Sequence, residues 1–225
     1  VAAAVIAVRE DAGISRRVSR VVPMTSETMN LPKRSSGQTV YYPGEATAIT
    51  SSEAQWTQVV LTAVKRAILT KVSYELLQGS VIDVAEYLAT EIGFQLAWQE
   101  DNEWVNGDGT GTYGGETGLI SALGAAGKHT LASGDTTWND VVLTDFETLM
   151  GTLPGKFWRS PAWVMSRAFY TTVVLKLLAA AGGNTIQTIE AGWSPRFFGY
   201  PISFTDRLPT ATATGSTCAL FGSFS

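Results

Sequence analysis

DVAEYLATEIGFQLAWQEDNEWVNGDGTG, residues 83–111, is the stretch that decides how this chain is read. Val84, Leu88, Ile92 and Leu96 recur every four residues, with Ala85, Ala89 and Ala97 beside them, the spacing that lines one side of an α-helix. Asp83, or Ser80 before it, can cap the first turn. A helix is expected from Asp83 to Trp104 or Asn106, about 33 Å long at 1.5 Å per residue. Gly93 in its middle costs about 1 kcal/mol relative to alanine, which points to another element packing closely there. Asn106-Gly107 is expected to end the helix in a left-handed turn.

The same region is acidic. Residues 81–120 contain no Lys or Arg and eight acids, among them Glu100, Asp101 and Glu103. Phosphate binding needs basic side chains, so this is no nucleic-acid surface. The acids read first as the wet side of an amphipathic helix. A sharper reading is a face that meets a basic neighbour, such as Arg16, Arg17 and Arg20 of another copy.

The whole chain, 225 residues with a net charge of −4, has 45% hydrophobic and only 16% charged residues. That composition excludes disorder, and the length allows a real core. One cysteine, Cys218, and one histidine, His129, exclude an internal disulfide framework and any multi-histidine metal site. No run is long and apolar enough to cross a bilayer. The apolar start lacks a basic region and reads as an internal fragment start, not a signal peptide.

Upstream of the helix, residues 1–20 read as a short helix with Ile6, Ile14 and Val18 among arginines. From Val21 to about Val72 the character is β: Val21-Val22, Thr39 to Tyr42 and Val59 to Val72 are rich in β-branched and aromatic residues. Asn30-Leu31-Pro32, Ser35-Ser36-Gly37 and Pro43-Gly44 read as turns. Gln55 to Val72 has no Gly or Pro and would span about 60 Å as one strand. It is therefore either broken, near Lys65-Arg66, or part of a projecting hairpin, and a projecting hairpin implies a partner. Downstream, a helix is expected from Trp138 to Gly151 with Thr137 and Asp140 as capping pair. A buried strand is expected at Pro161 to Met165, and a third helix from Ala168 to Ala181, closed by Gly182-Gly183. Strands and helices alternate without a βαβ rhythm, so the fold class is α+β.

Catalytic signatures fail one by one. Gly127-Lys128 lacks the first glycine of a phosphate loop, where Ala122 stands, and has His129 in place of Ser or Thr. Asn106 to Gly111 resembles the start of a calcium loop, but its twelfth position is Thr117. His129 reads as a solvated loop residue and Cys218 as a small strand hydrophobe. No enzyme, cofactor or metal is expected.

In family order along nearly the whole chain stand Val21-Val22-Pro23-Met24, Gly44-Glu45-Ala46, Lys71 to Leu77, Asn106 to Gly111, Gly118-Leu119, Ala162-Trp163-Val164-Met165, Gly199-Tyr200-Pro201-Ile202 with Asp206 and Leu208-Pro209, and Phe221-Gly222-Ser223-Phe224. In these the sequence resembles the major capsid protein family of tailed bacteriophages, with the Hong Kong 97-type fold. The resemblance implies an N-terminal helix or arm remnant (1–20), an extended β-hairpin loop with flanking strands (21–72), a peripheral domain with a spine helix (73–118), an axial domain (119–218) and a return strand (219–225). It implies a structural protein of the virion, from a phage or prophage, assembling in the host bacterial cytoplasm. The copies would form hexamers and pentamers of an icosahedral shell around double-stranded DNA, with portal, scaffolding or decoration proteins as further partners and no membrane.

The intersubunit surface it implies is the extended loop, with Lys33, Arg34, Gly37, Gly44, Glu45 and Thr47, and the spine helix it implies carries Val84, Leu88, Ile92 and Leu96. Self-cross-linking members carry a loop lysine after Gly-Glu-Ala; here that position is Thr47, which argues against an isopeptide bond. The chain reads as a trimmed subunit, since family members continue beyond the Phe-Gly-x-Phe piece. An encapsulin-type nanocompartment shell is the alternative of the same fold. The alternative of another class is a small-molecule enzyme using acids between Glu100 and Asp108.

Overall fold

The computed structural model describes residues 2–80, 83–180 and 195–224. The chain divides into two compact units, one of Val1–Arg20 with Thr70–Ser225 and one of Val21–Leu69. The first unit is built on the long helix.

Helices α1 (Ala2–Ala12) and α2 (Ile14–Val18) are separated by Gly13, whose backbone is extended (φ −75°, ψ 127°). After a short α3 (Tyr74–Gly79) comes α4 (Val84–Asn106). Asp83, not Ser80, caps α4: its Oδ1 accepts from the amides of Ala85 and Glu86 at 2.9 and 3.2 Å. The most buried line of α4 is Ala89, Gly93 and Ala97, one position beyond the expected Val84, Leu88, Ile92 and Leu96, which are half-buried. The reason is α1, which packs directly on the small side chains. A Cβ on Gly93 would lie 2.9 Å from Cβ and Cγ1 of Val8 and 3.1 Å from the Val5 carbonyl oxygen. The close packing expected at Gly93 is there.

The end of α4 differs from the expected left-handed stop. Gly107 has φ −49° and ψ 129°. What demands glycine is crowding: its Cβ would meet the carbonyl oxygens of Glu103 and Glu116 and the Gly118 amide at 2.6–2.7 Å. The chain turns through Asp108 to Thr117 and comes straight back, with Gly118 N donating to Gly107 O at 2.9 Å. Two glycines touching backbone to backbone let the turn fold flat against the helix end.

The expected 138–151 helix is two pieces, a 3-10 turn Trp138–Asp140 and α6 (Leu143–Gly151), after the one-turn α5 (Leu119–Ala122). Thr137 and Asp140 form the expected capping box on the first piece. The Asp145 carboxylate accepts from the Val142 amide at 2.9 Å and starts the second helix afresh. Strand β3 (Ala162–Met165) is followed by a continuous helical run: α7 (Arg167–Phe169), a π-turn over Tyr170–Val174, and α8 (Leu175–Ala180). The expected closure at Gly182-Gly183 lies outside the described residues.

The sheet has the order β4 (Arg196–Phe197), β5 (Tyr200–Phe204), β3, β6 (Ala219–Gly222). β3 pairs parallel with β5 and antiparallel with β6; β4 pairs antiparallel with β5. Alternation along the strands gives it two apolar faces. Trp163, Met165, Ile202 and Phe197 pack with Phe146, Trp138 and the buried side of the 167–180 helix. Val164 and Leu220 face the other way, onto Val105 of α4 and Leu208. The sheet is thus a middle layer between α4 and the later helices. Ser166, fully buried between them, has both its needs met: its Oγ donates to Pro209 O at 2.6 Å and accepts from Phe169 N at 3.2 Å.

The second unit is a two-stranded antiparallel ribbon of β1 (Thr28–Ser36) and β2 (Gln55–Thr62), with Leu31 opposite Val59 and Lys33 opposite Thr57. The long strand expected from Gln55 is broken, and the break comes at Thr62. Asn30-Leu31-Pro32 and Ser35-Ser36 lie in β1 and are not turns, while Val21-Val22 and Thr39 to Tyr42 are not strand. Pro32 sits opposite Gln58; in a two-stranded ribbon each strand keeps one unpaired edge, where a missing N–H costs no ladder bond.

Candidate intersubunit surfaces

The ribbon unit exposes what a folded chain ordinarily hides. Among the described residues, eleven of the twenty-two exposed large hydrophobics fall within residues 21–69, including Val40, Tyr42, Ile49, Trp56 and Leu69. Tyr42 is 94% exposed and Leu69 88%. Two strands alone have no second layer to bury them against.

All six loop residues singled out from the sequence are exposed. Lys33 O accepts from Thr57 Oγ1 at 3.3 Å. Arg34 stands opposite Trp56 at a bulge between Arg34 and Ser36, and its Nε donates to Ser36 O. Its guanidinium lies so close to Gly37 that a Cβ there would be 2.8 Å from a terminal nitrogen. Gly44, Glu45 and Thr47 form a turn closed by Thr47 N donating to Gly44 O at 3.2 Å, with Ala46 in the left-handed region (φ 62°). Between strand ends and turn, Ser52 Oγ holds the two arms together, accepting from Thr39 N and donating to Thr39 O, both at 3.0 Å.

On α4 the side chains of Tyr87, Phe94 and Trp98 are exposed. Their spacing of seven and four places them on one side of the helix. Arg207 stacks on Trp98, 3.7 Å from the ring centroid.

The acids at the end of α4 are not its wet side. Glu100, Asp101 and Glu103 are buried. Arg16 grips Glu100 through two nitrogens, at 2.7 and 3.1 Å, and Arg9 approaches the same carboxylate at 3.7 Å. The fork-on-carboxylate bond holds the Arg16 pKa above its ordinary value, against the opposing effect of burial. Asp101 accepts from the amides of Ile14 and Ser15 at 3.1 and 2.8 Å, the open start of α2. The basic partner is thus this chain's own N-terminal segment, not another copy's. These carboxylates are occupied as structural anchors, which removes the enzyme alternative built on them. The signal was present in the sequence only as opposite charges more than eighty positions apart.

The Asp108 turn holds itself: Asp108 Oδ1 accepts from Thr110 N at 2.9 Å, and the Thr110 hydroxyl, then this amide, lowers the Asp108 pKa. His129 is not freely solvated; its Nε2 lies 3.0 Å from Asp145 Oδ1. Cys218 is half-buried just before β6. Among the described residues no group of three His, Cys, Asp or Glu could hold a metal ion. No described helix is long and apolar enough to cross a membrane.

This architecture is that of phage-type capsid subunits. The capsid of a native GTA particle superposes with a TM-score of 0.70 at 20% identity, covering 93% of this chain and 72% of that one. The structure from Mycobacterium phage Bobi gives 0.67 at 19% identity, covering 95% and 70%. The major capsid protein of Klebsiella oxytoca phage phiKO2 is 24% identical over 219 residues, 94% of this chain. The chain spans about half, 49%, of that relative's length. The model of the phage capsid family matches residues 3–225, and the chain belongs to that family, which is structural and not enzymatic.

Proposed function

We propose that the chain acts as the major capsid protein of a tailed bacteriophage or prophage, assembling as hexamers and pentamers into an icosahedral shell around double-stranded DNA. The observation that carries this reading is the exposed apolar ribbon of residues 21–69 in a chain of the phage capsid family. Apolar area of this kind is stable in water only when a neighbour covers it. In this reading Lys33, Arg34, Gly37, Gly44, Glu45 and Thr47 lie in the arm between copies, and Tyr87, Phe94 and Trp98 on the spine helix offer a surface for a neighbouring copy. Residues 73–118 and 119–218 take the peripheral and axial places, and 219–225 returns toward the former. Virion location, assembly in the host cytoplasm, and portal, scaffolding or decoration partners follow from the same reading. With Thr47 where cross-linking relatives carry lysine, the shell is held without isopeptide bonds.

Deleting Ser35 to Thr47 tests the arm. The expected result is a folded subunit with an unchanged thermal transition that forms no rings or shells by light scattering and negative-stain electron microscopy. Normal assembly of the deletion variant would remove the arm from the interface.

A further inference from the structure

The hairpin between β4 and β5 turns on two residues, Phe198 (φ 51°) and Gly199 (φ 81°). This is the turn that matches strand twist, and both positions need positive φ, so asparagine and glycine are its ordinary occupants. A phenylalanine there is a strained choice. Its ring meets Phe197, with centroids 4.6 Å apart, yet the residue remains 39% exposed. Strain kept for an exposed aromatic asks for a use outside this subunit.

At the other edge of the same sheet, beside β6, lies a cavity of about 860 Å³ lined by Leu123, Leu131, Leu149, Phe157, Cys218 and Phe221. The rim residues Leu123 and Phe157 are exposed, 40% and 46%. Two carboxylates, Asp135 and Asp145, line the cavity against one ammonium, Lys128, while the turn carries exposed Arg196 two residues before Phe198. An exposed aromatic with a positive flank stands on one edge; an apolar cavity carrying these carboxylates stands on the opposite edge. That is a head-to-tail pair, the arrangement that closes rings.

We propose that the Phe198-Gly199 turn of one copy docks into the β6-side cavity of the next copy within a ring; this rests on the shell-forming reading above. Asparagine at 198 suits the turn, so Phe198→Asn keeps the subunit folded while deleting the anchor. Its thermal transition is expected at or above that of the unaltered chain, and its assembly, read by light scattering, at least tenfold weaker. Phe198→Tyr retains the ring and is expected to assemble normally. Cys218, the sole cysteine, then locates the socket. Within one chain position 198, in the turn before β5, and position 218, just before β6, lie at opposite ends of the sheet and at least two strand spacings, roughly 10 Å, apart, too far for a disulfide. Oxidised Phe198→Cys should therefore give a reducible ladder of oligomers, lost when Cys218→Ser is added. If the unaltered chain assembles and Phe198→Asn assembles equally well, the docking is overturned and the shell reading stands. If Phe198→Asn loses assembly but no ladder forms, the cavity is not the socket and the proposal fails in that form. If the unaltered chain itself forms no oligomer, the shell reading has failed first.

Discussion

Val8 occupies the space that a side chain at position 93 would need, its Cβ and Cγ1 2.9 Å from where a Cβ on Gly93 would be. The residue with the poorest propensity in α4 is thereby the one that lets α1 lie directly on it.

Gly93→Ala should destabilise the subunit. The roughly 1 kcal/mol gained in helix propensity is outweighed by an overpacking cost of about 1–3 kcal/mol. Urea unfolding followed by circular dichroism should show a net loss of about 1 kcal/mol. Val8→Gly in the same chain should make the two changes less than additive, because the clash is then gone.

Arg16→Ala should cost about 2 kcal/mol, since it removes the two-nitrogen grip on the buried Glu100 carboxylate. Arg16→Lys should fall between, because an ammonium keeps the charge and loses the two-nitrogen grip. Amide hydrogen exchange of residues 14–18 should accelerate in both, and most in the alanine variant.

Gly118→Ala should be strongly damaging. Its Cβ would lie 2.6 Å from Glu103 O and Gly107 N and 2.9 Å from the Val105 carbonyl carbon, all backbone that no rotamer change can move. A loss of about 3 kcal/mol or more is expected, read as a lowered denaturant midpoint or as failure to fold in soluble form.

Asp140 titrates below its ordinary 3.8 because Thr137, through its hydroxyl and then its amide, bonds the carboxylate. A depressed folded-state value means the contribution is present above pH 3.8 and disappears as pH falls through the folded value. Asp140→Asn should therefore be less stable than the unaltered chain at neutral pH, with the gap closing below pH 3.8. Thermal unfolding of both proteins across pH 2.5–7 would show it; a gap independent of pH would contradict the bonding seen here.

Much of this fold was legible where local rules govern. The limits of α4, the Asp83 cap, the Thr137–Asp140 box and the strand at 162–165 each depend on residues within a few positions, and the lone mid-helix glycine at 93 signals a close approach without naming Val8 as its partner. The failures are non-local. Glu100 and Asp101 look like solvent-facing acids until residues 9–16 come back from the start of the chain to cover them. Pro32 looks like a turn until it is placed on the free edge of a ribbon. Gly107 looks like a left-handed cap until Gly118 is seen against it. The strained Phe198 carries no local signal at all, because its conformation is set by the strands on either side.

The N-terminal segment runs along α4 in the same direction, with Val5 and Val8 at Gly93, Gly13 at Ala97 and Ser15 at Asp101. The order of these attachments gives the strap a mechanical polarity. Tension entering at Ala2 peels it one contact at a time, like a zip, beginning with the weak apolar contacts. Tension entering at Arg20, where the chain continues toward the ribbon, loads the paired Arg16–Glu100 and Asp101 bonds first and together, in shear. The same strap is thus easy to release from its Ala2 end and hard to pull out from its Arg20 end, and a single-molecule stretching experiment with handles at either position would read that difference as force.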